Sequence, residues 1–111
     1  MNVRDIDFSK EFLVYASPAG IIEYDFQNNK HKTISFDDGI SFGRIEKIHI
    51  DSMGNYWIAS SNKIQIWSTE SSSLIQEFDL DIQDISDILN VNNAVYISAK
   101  IDEVWGLIEF I

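Results

Sequence analysis

The chain has 111 residues, 45% of them apolar and 13% aromatic, which is a globular composition rather than a disordered one. With 18 acidic residues against 8 basic ones the net charge is -10, and so acidic a surface repels phosphate backbones, which argues against a nucleic-acid partner. There is no cysteine, hence no disulfide and no thiolate metal site; no apolar run approaches the roughly 18 residues of a membrane helix, and residues 1–5 carry no signal-peptide apolar region, so a complete reading frame would not be exported by that route.

Taken in chain order, the elements repeat. A first strand is expected at Val3-x-x-Ile6-x-Phe8 and a second at Phe12-Leu13-Val14-Tyr15-Ala16-Ser17. A third follows at Ile21-x-x-Tyr24, then the hairpin-prone pair Asn28-Asn29, then a fourth strand at Thr33–Phe36. The set starts again with Ile45-x-x-Ile48-x-Ile50, and the turn Asp51-Ser52-Met53-Gly54-Asn55 leads into Tyr56-Trp57-Ile58-Ala59-Ser60. In that turn Asp51 can accept hydrogen bonds from turn amides, Gly54 permits positive φ, and Asn55 precedes the strand. Ile64-x-x-Trp67, the Ser71-Ser72-Ser73 turn and Leu74–Phe78 complete the second set. A third begins at Ile85-x-x-Ile88-x-Asn90 and continues through Val95–Ala99, by way of Asn92-Asn93, to Leu107-x-x-Phe110, where the chain stops before a fourth strand. The first triplets are offset by 42 and 40 residues, a period typical of propeller blades. A competing pattern, the apolar stripe Leu80, Ile82, Ile85 and Leu89, would suit a helix, but the repeat register explains Ile85 and Ile88 without one.

A lone four-stranded meander cannot bury both faces, whereas radial stacking buries each against its neighbour. The expected fold class is therefore all-β: β-propeller blades, about two and three-quarter four-stranded antiparallel meanders forming an open arc in a single domain of residues 1–111. Blade one takes residues 1–42, blade two 43–82 and an incomplete blade three 83–111. Four blades of roughly 40 residues exceed this length. The expected partners are accordingly other blades of a longer protein or copies of the chain itself.

The second copy, from Phe36-Asp37-Asp38-Gly39-Ile40-Ser41 through Asp51-x-x-Gly54-Asn55-Tyr56-Trp57-Ile58-Ala59-Ser60, resembles the two-component regulator propeller repeat. The first copy matches in part, with Ala16-Ser17-Pro18-Ala19-Gly20-Ile21 in place of the repeat's Gly-Thr-x-x-Gly segment. Ala59-Ser60 and Asn62-Lys63 depart from that pattern. Ile64–Ser68 and Leu74–Phe78 look instead like a degenerate WD-repeat blade that lacks the Gly-His and Trp-Asp dipeptides. The first resemblance implies the ligand-sensing part of a bacterial signalling protein, periplasmic, recognising a glycan or another extracytoplasmic cue. The second implies a cytoplasmic protein-interaction scaffold. A fragment of a propeller hydrolase or lyase using paired carboxylates is a third reading.

Candidate chemistry is sparse. Gly39-Ile40-Ser41-Phe42-Gly43 has the spacing of a nucleophile elbow, but no helix pattern follows it, and an interblade loop is the expected reading. His49 and Asp51 share a strand face and His31 is distant in sequence, too little for a metal site. Asp79, Asp81, Asp84 and Asp87 do not have calcium-loop spacing. Exposed aromatics can stack on sugar rings, so Trp105, beside Gly106, Tyr56 and His49 are the expected ligand-contacting residues, with no catalytic residue, metal or cofactor.

Overall fold

The computed structural model describes residues 5–8, 12–17, 20–40, 45–60 and 63–110. Val3, Pro18, Ala19, Ser41, Phe42, Gly43 and Asn62, which figure in the motifs above, lie outside the described residues.

The described chain is all-β, apart from one 3₁₀ turn at Phe36–Asp38, and forms three separate antiparallel meanders. The first contains β1 (Ile6–Phe8), β2 (Phe12–Ser17), β3 (Gly20–Asp25) and β4 (Lys30–Ile34) in sequential order. The second contains β5 (Ile45–Ile50), β6 (Tyr56–Ser60), β7 (Lys63–Ser68) and β8 (Ser73–Asp79). The third has three strands, β9 (Asp84–Val91), β10 (Ala94–Ile101) and β11 (Val104–Phe110). This arrangement is consistent with propeller blades.

Two details differ from the sequence reading, at the end of the fourth strand and the start of the last, and between them one contested segment follows it. The fourth strand of the first sheet ends at Ile34 instead of Phe36. Ser35 N–H donates to Asp38 Oδ2, and Asp38 N–H and Ile40 N–H donate back to Ser35 O, closing a turn where a strand would continue. Residues 84–91 form the strand that the repeat register predicts and not the competing helix: Ile85 and Ile88 face the second sheet while Leu89 points the other way. The last strand starts at Val104, so Trp105 lies inside it, opposite Lys100.

One register runs through all three sheets. Leu13 pairs with Tyr24, Tyr56 with Trp67 and Val95 with Phe110. Three residues further along the second strand, Ala16 pairs with Ile21, Ala59 with Ile64 and Ser98 with Leu107. The hairpins turn on left-handed residues, Asn29 at φ 54° and Asn92 at 55° from the expected Asn pairs and Ser72 at 52° within the serine turn. A fourth such turn, Asp102-Glu103, is held by Gln83, whose side chain accepts from Glu103 N–H and donates to Glu103 Oε1.

The middle sheet is covered on both faces, so β6 is buried at every position. Tyr56, Ile58 and Trp67 pack with Val14, Ala16, Ile21 and Ile34 of the first sheet. Trp57, Ala59, Ile64 and Ile66 pack with Ile85, Ile88, Val95, Ile97 and Ala99 of the third. Strict alternation along β6 and β7 is what lets one sheet serve two cores. Each fully buried isoleucine contributes about 1.5–3 kcal/mol relative to exposure. Among the described residues no buried side-chain nitrogen or oxygen lacks a partner, and no helix is long and apolar enough to cross a membrane.

Candidate functional site

The first strands β1, β5 and β9 lie side by side along one flank of the stack. Each is an edge strand with one row of backbone N–H groups unpaired within its sheet. Asp5, which precedes β1, and Asp7 within it satisfy part of this row: Ile48 N–H donates to Asp5 Oδ2 at 3.0 Å, and Ile50 N–H to Asp7 Oδ2 at 2.8 Å. His49 continues the line, its Nδ1 3.6 Å from Asp7 Oδ2 and its Nε2 2.5 Å from Asn90 Oδ1. A cavity of about 250 Å³ opens here, lined by Asp5, Asp7, Lys47, His49 and Asp87. Its carboxylates are largely engaged by main chain. Asp7 Oδ1 also accepts from Phe8 N–H, and Asp87 Oδ1 from Ile88 N–H. Such bonds orient strand edges, and among the described residues no group of three or more His, Asp or Glu is placed to hold a metal.

A larger cleft of about 520 Å³ lies between the second and third sheets. Trp57, Phe78 and Phe110 supply aromatic surface; Gln76, Asn90, Asn93 and Glu109 supply polar groups. Phe110 is the hinge of the aromatic set, its ring centroid 5.2 Å from Trp57 at an edge-on angle of 66° and 4.9 Å from Phe78. The β5–β6 turn fixes Trp57. Asp51 Oδ1 accepts from Met53 N–H and Asn55 N–H, Gly54 N–H donates to Asp51 O, and Trp57 Nε1–H donates to Asp51 Oδ2 at 2.8 Å. Gly54 takes φ +86°, as the turn requires. Asp51 therefore both shapes the turn and sets the orientation of the indole in the cleft wall.

The three residues expected to contact ligand fall in different places. His49 lines the smaller cavity. Trp105 is 49% exposed on the outward face of the third sheet, beside neither cavity. Tyr56 presents no ring to solvent: it is 1% exposed in the core between the first two sheets, and its hydroxyl donates to Glu23 Oε2 at 2.5 Å. Burial first, then the Glu23 carboxylate, pushes the Tyr56 phenol well above its ordinary range. Strand alternation gave Tyr56 and Trp57 opposite faces, but both faces are covered. Sequence reasoning passed over Asp5 and Asp7, although two acids spaced by one residue within the first apolar triplet are a visible signal of a polar strand face. It also missed Phe78 and Phe110 as cleft walls, since they are ordinary apolar positions in the repeat.

The other motifs have structural roles. Gly39, at φ +104°, ends a turn, and its carbonyl accepts from the buried Gln65 Nε2–H at 2.9 Å; Ser41 lies outside the described residues. His31 stacks on Tyr24 at 4.6 Å in the first sheet, whereas His49 belongs to the second. In the acidic cluster, Asp84 Oδ1 accepts from Ile85 N–H, and Asp79 lies 3.7 Å from Lys63 Nζ.

No protein-family profile and no curated protein matches the sequence. Among solved structures the chain is similar to the extracellular domain of a protein assigned as the one component system BT4673 from B. thetaiotaomicron. The TM-score is 0.72 over 90% of this chain, at 12% sequence identity. The chain spans 14% of the length of that solved chain. At this identity the likeness is one of fold.

Proposed function

We propose that the chain is a non-catalytic, ligand-sensing stretch of β-propeller blades from a bacterial regulator of the two-component type, exposed outside the cytoplasm. The observation that carries this reading is the cleft between the second and third sheets, where Trp57, Phe78 and Phe110 meet Gln76, Asn90, Asn93 and Glu109. Aromatic walls with convergent amide and carboxylate groups suit a sugar, whose C–H faces pack on rings while its hydroxyls exchange hydrogen bonds. The repeat resemblance in the second copy and the fold likeness to an extracellular domain of a one component system both support this assignment. A non-catalytic role is supported by the carboxylates of the smaller cavity, which accept main-chain N–H groups.

The test is titration of the isotope-labelled protein with a panel of neutral and acidic oligosaccharides, followed by amide chemical shifts. The expected result is saturable shifts at Gln76, Asn90, Asn93 and Glu109 with at least one saccharide, lost in Phe110→Ala. Shifts confined to other surfaces, or none across the panel, would overturn the reading.

A further inference from the structure

One residue breaks the repeat where the two cavities approach each other. In the apolar triplets, Phe8 of β1 and Ile50 of β5 stand where β9 carries Asn90. Asn90 pairs with the buried Val95 and is itself half-buried, so a carboxamide occupies a position that the other two sheets give to an apolar side chain. An amide placed there is costly unless its polar atoms are used. Its Oδ1 lies 2.5 Å from His49 Nε2. Among the described residues its Nδ2 has no partner, and Asn90 lines the larger cleft.

His49 joins the cavities. It lines the smaller one together with Asp5, Asp7, Lys47 and Asp87, the charged groups that face it from the three first strands and their approach. Its Nδ1 lies 3.6 Å from Asp7 Oδ2. Asp7, His49 and Asn90 thus form a line with one member from each sheet. An oxygen faces each ring nitrogen, and a carboxylate or carboxamide oxygen only accepts, so the ring that satisfies both carries two N–H groups. A ring with a single N–H keeps it on Nδ1, toward the carboxylate, and leaves a lone pair on Nε2. Asn90 meets that lone pair by turning its amide over, Nδ2–H toward His49 and Oδ1 toward the cleft.

We infer that His49 is a positioning residue for the cleft, and that its proton decides whether Asn90 offers a ligand an N–H donor or a carbonyl acceptor. The doubly protonated ring turns Asn90 Nδ2 to the cleft; the singly protonated ring turns Oδ1 there. The consequence for binding rests on the reading of the cleft as the ligand site, whereas the amide reversal belongs to the free protein. A ligand oxygen that only accepts, such as an ether or a carbonyl, is held by the first form and refused by the second, while a hydroxyl, which donates and accepts, suits both.

Side-chain nitrogen–proton spectra of the free, isotope-labelled protein between about pH 5 and pH 9 test this. His49 should show two N–H ring nitrogens in acid and the Nδ1–H tautomer in alkali. The Asn90 Nδ2H2 resonances should move with the same midpoint, while those of Gln76 and Asn93, which make no bond to His49, stay in place. His49→Gln supplies an amide donor that does not titrate, so it should hold the Asn90 resonances at their acid positions throughout. Unchanged backbone spectra confirm its folding, and the wild-type tautomer decides the matter even if it does not fold. An Nε2–H tautomer in alkali, an Asn90 amide indifferent to the His49 titration, or one that still titrates in His49→Gln would overturn the inference. A protein that binds no saccharide overturns the proposed ligand instead, and these spectra decide the role of His49 without one.

Discussion

Replacing Tyr56 with Phe tests how the first two sheets are joined. Tyr56 belongs to the second sheet and Glu23 to the first, and their hydrogen bond crosses a seam whose interior is packed by apolar side chains. The ring stays and only the hydroxyl goes, so no cavity larger than one oxygen is left. A hydroxyl donating to a carboxylate contributes about 1.5–3 kcal/mol. Glu23 is half-buried and can turn part-way toward water after the change, which places the expected loss near the low end, about 1.5 kcal/mol. For a chain of this size that lowers the melting temperature by roughly 6 °C. The pH dependence has a definite sign. The folded state holds the phenol above its ordinary range, so the contribution is complete below the unfolded value of about 10 and is lost as pH rises beyond it. The gap between wild type and Tyr56→Phe should therefore be full at pH 7 and narrow above about pH 10. Urea and thermal unfolding of the wild type, Tyr56→Phe, Glu23→Gln and the double variant, followed by circular dichroism, supply the cycle and the coupling energy. Additive single effects, or a Tyr56→Phe protein melting within about 1 °C of wild type, would refute the assigned seam contact.

Three further outcomes follow from other parts of the fold. Gly20→Ala should cost at least about 2 kcal/mol in urea unfolding, because Gly20 has φ +126° and a Cβ there would fall against the carbonyl oxygen of Ile34. Asp7→Ala should cost only about 1 kcal/mol, since the carboxylate is partly exposed, but should selectively accelerate hydrogen exchange at Ile50 N–H. Asp25 accepts from Asn28 Nδ2, Asn28 N–H and Gln27 N–H; the Asn28 side-chain bond foremost holds its carboxyl below the usual range. A lowered folded value means stability present above the unfolded value near 4 and lost as pH falls through the folded one. The stability difference between wild type and Asp25→Ala should thus be constant near neutrality and close in acid, as read from melting temperatures between about pH 7 and pH 2.

Much of the fold was legible because the signals were local. Triplets with apolar spacing, Asn-rich hairpins and the Asp51–Asn55 turn each act within a few residues, and β5, β6, β9 and β10 fall where those patterns put them. The end of β4 was less legible: Ser35 and Asp38 form a turn whose side-chain bonds outweigh the strand preference of Phe36. The site was hardest to read, since it is made by contacts between sheets. Nothing near Tyr56 in the chain announces that Glu23 will reach it from another sheet, and nothing near Phe110 announces Trp57. Trp105 and Phe110 look alike as sequence, yet one lies on an uncovered face and the other walls a cleft. Which face is covered depends on neighbouring sheets, information that no window of the repeat contains.

The stacking of separate meanders, and with it the cleft, is tested most directly by nuclear Overhauser contacts in solution. Ring protons of Trp57 should show cross-peaks to those of Phe110, whose centroid lies 5.2 Å away in the facing sheet, with no backbone cross-strand peaks joining β4 to β5 or β8 to β9. Backbone peaks across those pairs, merging the three meanders into one continuous sheet, together with a Trp57 ring silent toward Phe110, would contradict the account.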